Sequence, residues 1–172
     1  PPTEPDDGHA FMGDIDDDIL DAELAIPANL LGALGVLRLR AWGDYLNNSG
    51  VTKTLRLVVA LGGVSLYDDT TGTLASDAQR APWFVDVELQ APNSQQLQLG
   101  AARWGLGSPS TPAVGTGGLD GTQYVNTRSV LLAVGTLDMT AAQTLELKFA
   151  HSVAHASTSI RCQLATLEVL NP

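Results

Sequence analysis

The run Asp14-Ile15-Asp16-Asp17-Asp18 places four carboxylates in five positions, a density that could hold a hard cation such as calcium. A calcium loop counted from Asp14 requires Gly at its sixth position and Glu at its twelfth. Ile19 and Ala25 stand there instead, so an acidic run offered to solvent or to a partner is expected. His151 and His155 are four apart, which on a helix serves zinc, but Ser152 occupies the place of the catalytic Glu. On a strand the two rings would share one face about 13 Å apart, too far for one metal. Gly115-Thr116-Gly117-Gly118-Leu119-Asp120-Gly121 lacks the Lys-Ser/Thr of a phosphate loop. Gly63-Val64-Ser65-Leu66-Tyr67 lacks the closing Gly of a nucleophile elbow. Paired carboxylates for sugar hydrolysis would need a cleft, whereas Asp86 and Glu88 alternate with apolar strand residues. The single cysteine, Cys162, can form no intrachain disulfide and reads as a small buried strand residue. The expectation is a protein without catalytic site, metal or cofactor.

The elements that would carry such residues divide at a charge boundary. Residues 1–23 hold nine acidic side chains, no Lys or Arg, and three prolines. Such a segment has too little apolar surface to fold alone. Its apolar knot, Phe11-Met12 with Ile15, and its acids Asp14, Asp16, Asp17 and Asp18 are the candidate docking residues of an arm spanning 1–19. After Glu23 the chain carries ten acidic and nine basic residues and is nearly neutral. It has no basic field to attract nucleic acid or an anionic membrane. No segment approaches a membrane-spanning apolar length and no signal-peptide pattern opens the chain, which suits cytoplasmic synthesis.

Residues 20–172 read as about nine short strands. Leu37, Leu39 and Ala41 alternate with Arg38, Arg40 and Trp42. Leu55, Leu57, Val59 and Leu61 share a parity, as do Trp83, Val85, Val87 and Leu89. Leu132, Leu145 and Leu147 continue the inward set. Gly62-Gly63 between two apolar runs predicts a tight hairpin. The parity of 160–170 breaks, which predicts a β-bulge near Leu164-Ala165. Residues 68–81 and 105–126 read as loops. This spacing means an all-β, antiparallel, jelly-roll-like β-sandwich with an extended acidic N-terminal arm.

Two stretches carry a resemblance. Ile26-Pro27-Ala28-Asn29-Leu30-Leu31-Gly32 leads to Leu37-Arg38-Leu39-Arg40-Ala41-Trp42-Gly43 and Asn47-Asn48-Ser49-Gly50, and Leu61-Gly62-Gly63 leads to Tyr67-Asp68-Asp69. They resemble a group of tailed-bacteriophage structural proteins with a jelly-roll body, most clearly over residues 20–90. The resemblance implies a virion component, commonly trimeric, used in capsid decoration or in head or tail fibres. It transfers no catalytic motif.

Two functions are therefore expected, neither enzymatic. The first is a capsid decoration protein whose arm docks on the major capsid protein or other virion proteins. It is expected to be a homotrimer, with Arg38, Arg40, Trp42 and Phe84 as surface or subunit contacts. The alternative is a fibre or baseplate module that binds a receptor or host glycan through Tyr45, Trp104, Tyr124 and Trp42, because sugars stack on aromatic faces.

Overall fold

The computed structural model describes residues 19–91, 98–107, 124–134 and 137–170, with side chains for 23–91, 100–107 and 137–170. The arm residues Phe11, Met12, Asp14, Ile15, Asp16, Asp17 and Asp18 lie outside them. The described residues form nine strands and no helix. They are β1 (Ile19–Ile26), β2 (Val36–Asn47), β3 (Leu55–Leu61), β4 (Val64–Thr70), β5 (Asp77–Gln90), β6 (Gln98–Gly107), β7 (Tyr124–Val134), β8 (Gln143–His151) and β9 (Thr158–Leu170). β1 takes in Ile19, one residue before the expected boundary.

Two antiparallel sheets pack face to face. One runs β1-β8-β3-β4 and the other β7-β6-β5-β2-β9. The chain changes sheet from β1 to β2 to β3, from β4 to β5, and from β7 to β8 to β9. It stays within one sheet through the β3–β4 hairpin and the β5–β6–β7 meander. The sandwich arises because each long strand has one apolar parity that must leave water. β2 alternates buried and accessible residues along its whole length, with Leu37, Leu39, Ala41 and Tyr45 inward. Leu55, Leu57, Val59, Trp83, Val85, Val87, Leu145 and Leu147 are buried as their parity predicts. Leu132 lies on β7, outside the described side chains. Each such aliphatic contributes roughly 1.5–3 kcal/mol on full burial.

Phe149 joins the sheets at their centre. Its ring centroid lies 4.7 Å from that of Trp83 and 6.0 Å from that of Trp104. Trp83 covers Gly43, and a methyl group there would stand 2.8 Å from Trp83 Cζ2 and run into the Arg161 carbonyl. This close approach explains the glycine in the Trp42-Gly43-Asp44 run. The β3–β4 turn has both glycines at positive φ, 58° and 77°, as the expected hairpin requires.

Three expectations are corrected. Residues 68–81 are not one loop: β4 continues to Thr70, which pairs with Arg56, and β5 begins at Asp77, which pairs with Asn47. Polar composition misled there because β4 is an edge strand whose outer side faces water. β6 and β7 likewise extend into the expected 105–126 loop, with Gly107 opposite Tyr124. The β9 bulge falls at Gln163, since Trp42 opposes Leu164 while Gly43 opposes Cys162. The extra residue moves Leu164 from the inward to the outward side and brings Ala165 inward.

The buried polar residues Asn47, Lys53, Thr71, His151, Thr158 and Ser159 gather at one end of the sandwich. The Asn47 amide donates to the carbonyls of Val51, Leu74 and Ala75 at 3.0–3.3 Å, and its Oδ1 accepts from the Ser49 hydroxyl at 2.7 Å. The Asn47-Asn48-Ser49 sequence is therefore a loop clamp, its amide too buried and too engaged to accept a glycan.

Two outcomes test this packing. Leu57→Ala should lower the unfolding free energy by about 2–5 kcal/mol in urea or guanidinium titration, through the cavity it leaves; a loss below about 0.5 kcal/mol would contradict a core position. Gly43→Ala should cost about 1–3 kcal/mol, because the added methyl meets backbone that cannot yield without moving β9; unchanged stability would mean that β2 and β9 are not so closely apposed.

Candidate interaction surface

The outward parity of the five-stranded sheet assembles the side chains with the most evident capacity to bind. Strand pairing sets them in rows across the strands. Glu168, Arg38 and Glu88 form one row. Thr166, Arg40, Asp86 and Arg103 form the next, and Leu164, Trp42, Phe84 and Gly105 the third. Asp44 follows Trp42 on the same side of β2. These rows exist because the inward parity of β2 from Leu37 to Ala41 and of β5 from Ala81 to Leu89 is apolar, so the charged residues alternating with it fall on the other face.

The charged rows neutralise themselves. Arg38 Nη2 lies 2.9 Å from Glu88 Oε2, and its Nη1 lies 3.6 Å from Glu168 Oε2. Asp86 is shared between Arg40 at 3.2 Å and Arg103 at 2.9 Å. The hydrogen bond and charge of Glu88, and the more distant Glu168 and Asp86, raise the pKa of the Arg38 guanidinium above its already high value. Beyond Trp42, Arg80 Nε donates to Asp44 Oδ1, its Nη1 donates to Ser159 Oγ at 2.8 Å, and Gln163 Nε2 donates to Asp44 Oδ2 at 2.7 Å. Between these polar borders lies the apolar row. Trp42 is 46 % exposed, and the Arg103 guanidinium sits 5.6 Å from the centroid of the Phe84 ring.

The structure thus brings together Arg38, Arg40, Trp42 and Phe84, as the alternation predicts. It separates the other aromatics. Tyr45 and Trp104 are 2 % and 1 % exposed, so neither presents a ring face to a sugar. Tyr45 is on the inward parity of β2, three residues from Trp42, and its hydroxyl donates to the Gly107 carbonyl at 3.1 Å. Trp104 is on the inward parity of β6 with Ala102 and Leu106. Its indole N–H donates to Tyr67 Oη at 2.8 Å and Asp69 Oδ2 at 3.1 Å, which satisfies the one polar group of a buried ring. Tyr124 lies on β7, outside the described side chains.

Leu164, Asp44 and Gln163 belong to this surface and escaped the sequence reading. The phase break in β9 is the signal for Leu164 and Gln163, and the outward parity of Trp42 on β2 is the signal for Asp44. Among the described residues no group of three His, Cys, Asp or Glu side chains lies close enough to hold a metal. His155 sits in the loop after β8, its Nδ1 accepting from the Ser157 amide at 3.1 Å. Cys162 is buried, and burial pushes its thiol up to about 11, which suppresses the reactive thiolate at neutral pH. A shallow depression of about 280 Å³ in the loop 29–35 is lined by Leu, Ala, Gly and Asn29 and holds no titratable side chain.

Burial raises the Tyr45 phenol to about 12. Its ionisation is therefore harder in the folded than in the unfolded chain. The neutral phenol's contribution is complete below the unfolded value near pH 10 and is lost as pH rises through the folded value. Stability should fall between about pH 10 and pH 12, and Tyr45→Phe should make that fall shallower in denaturation measured across the range. An identical alkaline profile in the variant would show that Tyr45 ionises elsewhere than in the core.

Comparison of the chain with protein-family models, with curated proteins and with solved structures found no match.

Proposed function

We propose that this protein is a non-enzymatic structural component of a bacteriophage virion, a capsid decoration protein that docks through its acidic N-terminal arm. The observation that carries this reading is the segregation of charge. Of the nine Lys and Arg residues, six are engaged by carboxylates of the sandwich itself. They are Arg38, Arg40, Arg56, Arg80, Arg103 and Lys148. Lys53 donates instead to the Val153 carbonyl. The seven acids of residues 1–19 come in addition to the carboxylates of these pairs. A charge excess joined to an apolar knot at Phe11, Met12 and Ile15 suits attachment to a basic or polar groove on another protein. The resemblance over residues 20–90 supplies the setting, a virion in which the major capsid protein or a neighbouring shell protein would offer that groove. The same resemblance supports a homotrimer.

The prolines at 1, 2 and 5 restrict the free arm beforehand and lower the entropy lost on docking. Attachment should weaken as salt is added, because pairs at the surface are screened beyond ~8–10 Å, and persist in part through the apolar contacts. Deleting residues 1–18 should leave a folded sandwich, β1 included, that no longer decorates shells lacking the protein. Co-sedimentation of shells with the full and shortened chains, at two salt concentrations, reads this out. Equal binding of both forms, with the same salt dependence, would overturn the proposal.

A further inference from the structure

The three tryptophans differ in a way that the fold does not require. Trp83 and Trp104 are core residues whose N–H groups are satisfied, that of Trp83 by the carbonyls of Asp44 and Arg161 at 3.3 and 3.0 Å. Trp42 stands on the outer face of the same sheet, nearly half exposed, and its indole N–H donates to no described residue. Its neighbours across the strands, Leu164 and Phe84, are half-buried and form with it a single apolar row. Both sides of the row are fixed polar groups: Arg40, Asp86 and Arg103 on one, Asp44 and Gln163 on the other.

We propose that this row is a binding site for a neutral carbohydrate, a pyranose whose ring presents an unbroken C–H face, as β-linked glucose or galactose units do. The reasons are size, polarity and charge. About 46 % of a tryptophan side chain is roughly 115 Å², far below the roughly 800 Å² per partner that a stable protein interface buries. The half-buried flanking residues cannot make up the difference. The exposed apolar area is thus little more than that of one indole, and charged rows border it, whereas a stable contact between two copies of the chain has a wide apolar centre. A sugar ring has matching dimensions: a C–H face one residue wide for the indole, and hydroxyls at its rim. Those hydroxyls would meet side chains already held in place by ion pairs and hydrogen bonds, so little ordering is lost on binding. The face holds Arg38, Arg40, Arg80, Arg103 and, opposite Asp44, Arg161 against Asp44, Asp86, Glu88 and Glu168, and most of these charges pair with one another, which leaves little free charge to hold a sialylated or phosphorylated ligand. The site differs from the arm in place and chemistry, so it stands or falls separately from capsid docking.

Cellohexaose and lactose, titrated into the full chain, test the proposal. Because Trp83 and Trp104 are buried, a change in tryptophan fluorescence should report on Trp42. The expected result is a saturable change below about 10 mM sugar. Calorimetry of the variants should show affinity at least about tenfold weaker in Trp42→Ala and within about threefold of the parent in Trp42→Tyr, which keeps an aromatic face. Far-UV circular dichroism confirms that each variant is folded. No saturable signal with either sugar, undiminished binding by folded Trp42→Ala, or binding of 3′-sialyllactose alone would overturn the proposal. So would loss of self-association in Trp42→Ala by light scattering, since the face would then be covered by a second copy.

Discussion

The ring of Phe149 stands between two buried indoles, Trp83 of β5 and Trp104 of β6, and the two sheets meet through that contact. Offset and edge-on aromatic pairs of this kind add about 0.5–1.5 kcal/mol each beyond the area they bury. Their larger consequence is geometric. Two indoles in a core bring two N–H groups with them, and each must find an acceptor or cost the fold the desolvation of a buried donor. Trp104 finds Tyr67 and Asp69, which draws the edge strand β4 toward β6. Trp83 finds the main-chain carbonyls of Asp44 and Arg161, which holds β2 and β9 at the close spacing that only Gly43 allows.

From that close spacing the outer face follows. The bulge at Gln163 lets β9 keep its pairing with β2 while changing parity. It delivers Ile160 and Cys162 to the core on one side of the break and Ala165 on the other. On the far side of the sheet it sets Leu164 beside Trp42 and brings Gln163 within reach of Asp44. The surface proposed to bind sugar is thus a by-product of how the core solves its own packing. Its polar borders are paired with one another across adjacent strands.

The charge distribution is the second constraint. Five arginines of the sandwich are matched to acids one strand away, as Arg56 is to Asp68, where the Arg56 hydrogen bonds hold the Asp68 carboxyl below its usual range. Such pairs add little stability at a surface. They do engage six of the cations of the described residues. The acids of the first 23 residues and the near-balance of charge after them are the basis of the proposed division between attachment and display.

Much of this was legible in the sequence, because period-two alternation is a local property. The inward sets Leu37–Leu39, Leu55–Leu57–Val59, Trp83–Val85–Val87 and Leu145–Leu147 needed no partner strand to be recognised. Nor did the Gly62-Gly63 turn, since positive φ is a property of the residues themselves. Trp42 and Phe84 were placed outward by the same rule. What only the tertiary structure decided is the phase of strands whose alternation is weak or interrupted. Tyr45 and Trp104 are amphipathic rings that suit a wet surface or a core with an acceptor nearby, and the acceptors, Gly107, Tyr67 and Asp69, are distant in sequence. The place of the β9 bulge, and with it the outward turn of Leu164, is set by register against β2. Alternation names the two faces of a strand, but which acceptors and which neighbours stand opposite is fixed only when another strand supplies them.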